Sequence, residues 1–172
     1  MTENQQLHPV LVTRKEIIAR DVYLFELRYS LGAALPPFDA GSHIALQVPS
    51  GAMRQYSLCN DPFETDRYVI AVKREAEGRG GSLSLTEQVT VGDTILAAFS
   101  SNMFQLDRKA KNFILVAGGI GITPMIAIMH NLMADGLRGF KLYYFSRDVA
   151  GTAFMEELSN VPLAKHTKIV HN

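Results

Sequence analysis

Three stretches of the sequence carry residue types whose spacing could do chemistry. The first is Gly118-Gly119-Ile120-Gly121-Ile122-Thr123-Pro124, set between an apolar run and a helix-forming one. Glycines there let the backbone turn tightly and come close to a ligand, and the start of a helix offers free N–H groups to a phosphate. A glycine-rich turn with no ligand has the same letters; the strand before and the helix after favour the phosphate. The second stretch is Arg54-Gln55-Tyr56-Ser57-Leu58-Cys59-Asn60. Strand alternation puts Arg54, Tyr56 and Leu58 on one face and Gln55, Ser57 and Cys59 on the other. A guanidinium grips phosphate bidentately and a phenol ring covers a flat ring system, so this pair suits a phosphorylated, planar ligand. A surface Arg beside a core Tyr accounts for the letters equally. The third stretch, Ala71-Val72-Lys73-Arg74 followed by Gly78-Arg79-Gly80-Gly81-Ser82, runs from a strand into a glycine loop at a helix start. Backbone amides and the Ser82 hydroxyl could cradle phosphate against the helix dipole, although a solvent loop explains this stretch as well.

The elements that must position these residues fall into two groups. Short β-rich runs at Val10 to Val12, Val22 to Tyr29, His43 to Val48, Gln55 to Leu58, Tyr68 to Lys73 and Thr94 to Ala98 fill the first hundred residues. Turn signals at Leu31-Gly32, Pro36-Pro37, Pro49-Ser50-Gly51 and Val91-Gly92-Asp93 separate them at the spacing of a sandwich or barrel. Within Val22 to Tyr29, Tyr23, Phe25, Leu27 and Tyr29 alternate with Glu26 and Arg28, the pattern of a half-buried strand. Ser82 to Val89 reads as a short helix capped by Ser82.

After the charged linker Asp107-Arg108-Lys109, Phe113 to Ala117 is a continuous apolar run typical of a buried parallel strand. Met125 to Met133 is a helix with Thr123 as N-cap and Pro124 at the first helical position. Lys141 to Phe145 and Lys168 to Val170 read as strands, and Ala153 to Leu158 as a short helix between them. This β-α-β-α-β order is half of a doubly wound sheet. The expected architecture is an N-terminal antiparallel β-barrel, residues 1–107, followed by an incomplete α/β doubly wound domain, residues 108–172.

Composition narrows the partners. Seventeen Lys plus Arg balance seventeen Asp plus Glu, so no net field draws in nucleic acid or an acidic membrane. The single Cys59 excludes an internal disulfide and a four-thiolate iron–sulfur cluster built by this chain alone. No stretch approaches the roughly 20 apolar residues of a membrane span, and Met1 to Gln6 is polar, so cytoplasm is the expected compartment.

Taken in order, Phe38-Asp39-Ala40-Gly41-Ser42-His43-Ile44, Arg54 to Pro62, Tyr68 to Arg74, Gly78 to Ser82 and Phe113 to Pro124 resemble the phthalate dioxygenase reductase and vanillate demethylase reductase group of the ferredoxin reductase superfamily. The resemblance implies a flavin, FMN over FAD. Arg54 would hold its phosphate, Tyr56 would pack on the isoalloxazine and Ser57 would lie near the reactive nitrogen. Ala71, Val72 and Lys73 would hold the ring edge and ribityl side; Gly80, Gly81 and Ser82 the phosphate. Thr123 would approach the flavin from the second domain. Gly118, Gly119, Gly121 and Pro124 would form the pyridine-nucleotide pyrophosphate site, and Ser146-Arg147-Asp148 would read the adenosine ribose. An acidic residue there favours a free 2′-hydroxyl and an Arg accepts a 2′-phosphate. With both present, NADH over NADPH follows the resemblance alone.

The implied activity is that of a flavin-dependent oxidoreductase: hydride from the nicotinamide to the flavin, then single electrons to an iron–sulfur protein or domain serving an aromatic-ring oxygenase or demethylase. No side chain need act as acid, nucleophile or metal ligand, and His8, His43, His130, His166 and His171 read as structural or exposed. Members of the group continue into a full nucleotide domain and a ferredoxin domain, whereas about sixty residues here follow the linker. A truncated fragment of a full reductase is therefore expected, ahead of a short flavin-binding protein without full reductase activity. A non-enzymatic interaction protein is a third reading, opposed by the intact Arg54 motif. Strand order further predicts an unpaired apolar edge at Phe113 to Ala117.

Overall fold

The computed structural model describes residues 6–30, 32–99, 106–107, 109–136 and 139–171; Leu31 of the first turn and Arg108 of the linker lie outside them. Six strands, β1 (His8–Ala19), β2 (Val22–Tyr29), β3 (His43–Gln47), β4 (Met53–Ser57), β5 (Tyr68–Lys73) and β6 (Thr94–Phe99), pair antiparallel in the order β4-β3-β6-β1-β2-β5. An isolated antiparallel bridge from Leu58 to Ile70 joins the end of β4 to β5 and closes the sheet into a barrel. Helix α1 (Gly81–Gln88) packs into that barrel through Leu85, which is fully buried with Phe25, Leu27, Ile44, Leu46 and Ile70.

β1 is far longer than the Val10 to Val12 run that its apolar letters mark. Its second half is charged, yet each charge has a place: Arg14 pairs with Glu16 at 2.7 Å on the outside, while Lys15 reaches the end of α1. β2 also departs from a half-buried strand. Phe25 and Leu27 point into the barrel, but Val22 and Leu24 on the other face meet a second apolar cluster. Glu26 on that face is only 8% exposed and accepts bonds from Thr13 at 2.7 Å, Arg67 at 2.8 Å and Arg28 at 2.9 Å. A buried carboxylate survives when it is paired and hydrogen-bonded in this way.

The second sheet is parallel, in the order β7 (Phe113–Gly118), β8 (Phe140–Ser146), β9 (Thr167–His171), with α2 (Ile122–Ala134) and α3 (Met155–Ser159) as crossovers. The antiparallel barrel followed by this α/β unit is the expected fold class. α2 is apolar on nearly every side because two surfaces enclose it. Leu115, Ala117, Leu142 and Tyr144 of the sheet lie on one side, and Val22, Cys59, Val69 and Ala71 of the barrel's outer face join the same cluster. The sheet's opposite face is open: Ile114 is 76% exposed and Val116 60%. β7 pairs only with β8, so the expected free edge is present among the described residues. No helix among the described residues is long and apolar enough to cross a membrane.

Candidate functional site

β4 lies beside the start of α1, and this brings Arg54 to the glycine loop. A Cβ built at Gly81 would stand 2.6 Å from Arg54 Nε and 3.0 Å from its Cγ, so the Arg54 side chain lies across a position only glycine leaves open. Gly80 caps the helix with φ 75°, a left-handed conformation that favours glycine. No side chain caps this N-terminus. The expectation that Ser82 caps it is corrected: Ser82 is already inside the helix, and its hydroxyl accepts the Glu75 N–H at 3.1 Å, fastening the loop. Among the described residues Arg54 has no carboxylate partner and donates only to the Met53 carbonyl, at 2.9 Å. A free guanidinium over an uncapped helix N-terminus is a donor set for phosphate.

Alternation along β4 holds. Tyr56 and Leu58 join the barrel core, whereas Cys59 joins the cluster shared with the second sheet. Burial pushes the Tyr56 phenol up to about 12, against the pull of the neighbouring Arg54 charge, so it stays a neutral ring and donor. Ser57 is half-buried opposite His43 of β3. On β5, Val72 is 1% exposed inside the barrel and Ala71 4% exposed in the shared cluster, which leaves their backbone rather than their side chains for a ligand. Lys73 pairs with Glu75 at 2.6 Å.

The glycine loop of the second unit forms a 3-10 turn over Gly119–Gly121 that lies against β5. Gly119 has φ 50°, and a Cβ at Gly118, Gly119 or Gly121 would meet nothing within 4 Å, so the loop borders open space. Two expectations about α2 are corrected. Its cap is Gly121, not Thr123, whose buried hydroxyl instead donates to the Ile120 carbonyl at 3.0 Å. Pro124 is third, not first, in the helix, still within the turn where a missing N–H costs nothing.

At the end of β8 the three ribose candidates differ. The Ser146 hydroxyl is buried, 2.7 Å from the Thr152 hydroxyl and 3.1 Å from His171 Nδ1. Asp148 accepts Arg20 from the barrel at 2.5 Å and the Gly151 N–H at 2.8 Å, bonds that hold its carboxyl below the usual range. Arg147 is exposed. Arg20 carries no sequence signal for this role, because its partner lies 128 positions away. Four histidines have side-chain partners: His8 stacks on Phe99, His166 on Phe140, His171 meets Ser146, and His130 bonds Glu157 at 2.7 Å; His43 is half-buried in β3. Among the described residues no group of three His, Cys, Asp or Glu could hold a metal ion. A cavity of about 810 Å³ lies around Phe38, Phe63 and Leu132 and includes neither Arg54 nor the Gly118–Gly121 loop. Among the described residues the Arg54 cradle joins an unpaired cation to uncapped helix N–H groups, a combination that the lining of this cavity does not offer.

Residues 9–118 match the family described as oxidoreductase FAD-binding domain. The sequence is 52% identical over 161 residues to phthalate dioxygenase reductase of Burkholderia cepacia, covering 94% of this chain and 50% of that protein. It is 39% identical over 155 residues to vanillate O-demethylase oxidoreductase of Pseudomonas putida, covering 90% and 48%. A solved structure described as phthalate dioxygenase reductase, modular for electron transfer from pyridine nucleotides to a 2Fe–2S centre, superposes with TM-score 0.94 at 50% identity, over 96% of this chain and 52% of that one. The chain spans about half the length of these relatives. With Arg54, Tyr56 and the Gly80-Gly81 loop all inside the matched span, the chain belongs to the oxidoreductase FAD-binding domain family of the ferredoxin reductase superfamily.

Proposed function

We propose that this chain is the flavin-holding part of a reductase component that takes electrons from a pyridine nucleotide and delivers them to an iron–sulfur protein or domain serving an oxygenase or demethylase. The observation that carries the reading is Arg54 lying across Gly81 at an N-terminus that no side chain caps. The donor set fits a phosphorylated flavin: Arg54 with the first-turn amides of Gly81 and Ser82 for the phosphate, and Tyr56 and Ser57 for the ring. The backbone of Ala71 and Val72, with Lys73, serves the ring edge and ribityl side. FMN over FAD, and NADH over NADPH, follow the family resemblance.

A bound flavin supplies the exchange between two-electron and one-electron chemistry. The protein's own share is orientation. Gly118, Gly119 and Gly121 keep the second unit's loop open beside β5, and Thr123 fixes that loop from below through Ile120. Shared apolar packing around α2 holds the two units at one spacing, the condition for bringing reactants into register.

The test is direct. The purified chain should carry flavin, and chromatography of the cofactor released on denaturation identifies it as FMN or FAD. A folded chain that neither carries nor takes up either flavin ends the reading. A second reading, flavin binding without full reductase activity, is favoured by the open face of Ile114 and Val116. Flavin uptake with no reduction by NADH or NADPH selects it.

A further inference from the structure

We infer that Arg20, a barrel residue, tunes how the nucleotide site treats the ribose 2′ position, by holding the Asp148 carboxylate and leaving Arg147 as the free charge at that tip. The inference rests on the pyridine-nucleotide reading above. In a doubly wound sheet the residues just past the second strand face the adenosine ribose, and an acidic residue there takes the hydroxyls. Here the second strand is β8, and Ser146-Arg147-Asp148 is that position.

For Asp148 to read a ribose, its oxygens need free lone pairs, and to repel a 2′-phosphate its charge must be uncompensated. Each oxygen already accepts one bond and keeps one lone pair, so the first condition is met only in part; the second is not met. One oxygen accepts Arg20 Nη2 at 2.5 Å and the other the Gly151 N–H at 2.8 Å. The ion pair is solvent-exposed, with the Arg20 and Asp148 side chains 55% and 47% accessible, but the main chain holds it in place. Arg20 also donates its backbone N–H to the Ala150 carbonyl at 2.7 Å, so the β1–β2 turn is docked on the 148–151 turn by main chain as well as side chain. Ser146 is 8% exposed and engaged with Thr152 and His171. Arg147 alone is exposed and unpartnered among the described residues, and a guanidinium accepts phosphate.

Arg20 is thus a positioning residue that acts through Asp148. Removing it restores an uncompensated negative charge beside Arg147, which weakens a 2′-phosphate relative to a 2′-hydroxyl. The test uses calorimetric titration of the full chain with 5′-AMP and with 2′,5′-ADP at low salt. Arg20→Gln should shift the ratio of the two dissociation constants toward 5′-AMP by about fivefold or more, the effect of one unit charge at contact distance in water. Arg20→Lys should keep the wild-type ratio, and Arg20→Gln combined with Asp148→Asn should return to it. Asp148→Asn alone should move the ratio the other way, toward 2′,5′-ADP and by a similar factor, since it leaves the Arg20 charge uncompensated. An unchanged ratio in Arg20→Gln, or a shift toward 5′-AMP in Asp148→Asn, overturns the inference while leaving the pyridine-nucleotide reading in place. Failure of the wild type to bind either probe overturns both.

Discussion

Lys15 of β1 donates its ammonium to the carbonyls of Thr86 and Val89, both at 2.7 Å, and so ties the end of α1 to the barrel wall. The charge sits where a helix C-terminus carries its partial negative end. Because α1 begins at the Gly80-Gly81 cradle, this contact aims the helix from the far end. Lys15→Met should destabilise the chain by about 1–3 kcal/mol, the range for bonds to a charged group. Urea titration followed by circular dichroism measures it; a change under about 0.5 kcal/mol would mean water replaces the ammonium there without loss.

Arg54→Ala should weaken FMN binding by about 1.5–3 kcal/mol through loss of a charge-assisted phosphate contact. Gly81→Ala should act in the same direction, because the new Cβ displaces the Arg54 side chain. Riboflavin, without the phosphate, should bind the wild type less well and be nearly indifferent to both changes. Fluorescence quenching titrations decide it, and equal losses for FMN and riboflavin would place Arg54 away from the phosphate.

A carboxylate and a histidine give stability opposite pH windows. Burial alone would raise Glu26, but bonds from Arg67, Thr13 and Arg28 outweigh it and hold the carboxyl at about 2, below its ordinary 4.5. A depressed carboxyl contributes stability that is full above pH 4.5 and lost as the pH falls toward about 2. His130 is raised above 6.5 by its bond to Glu157, against burial, so its contribution is full below pH 6.5 and lost as the pH rises through the raised value. Melting temperatures measured from pH 2 to 9 should fall at both ends. Glu26→Gln should flatten the acid limb and Glu157→Gln the alkaline one; an unaltered profile in either variant removes that assignment.

Exposed Ile114 and Val116, on a strand edge without charge or proline, should drive self-association of the chain as it stands. Light scattering should show oligomers or aggregates that the pair Ile114→Lys and Val116→Lys reduces. A monomeric wild type would contradict the expectation.

The barrel and the α/β unit were legible because their signals are local: alternation in β2, a continuous apolar run in β7, glycines at two strand-to-helix turns. That Arg54 and the α1 start lie together was implied by the family resemblance, which set both on one phosphate, and not by the letters themselves. What stayed hidden depended on distant partners. The charged half of β1 reads as loop until Lys15 finds the α1 carbonyls. Glu26 reads as solvent-facing until Arg67 covers it. Ser82 and Thr123 look like caps by residue type, yet at each helix a glycine supplies the turn, and the hydroxyl serves the loop before it. Asp148 has the chemistry of a ribose reader, and only the fold shows Arg20 upon it.

The burial of α2 between the barrel's outer wall and the parallel sheet has a consequence for ligand affinity. With one apolar cluster running from Val22 and Val69 through Ile126 to Leu142, moving the Gly80-Gly81 cradle away from the Gly118–Gly121 loop would expose buried apolar surface. Packing that resists this movement spends ordering entropy before any ligand arrives. A molecule bound half by each unit therefore meets a preset gauge, and fits it or is refused.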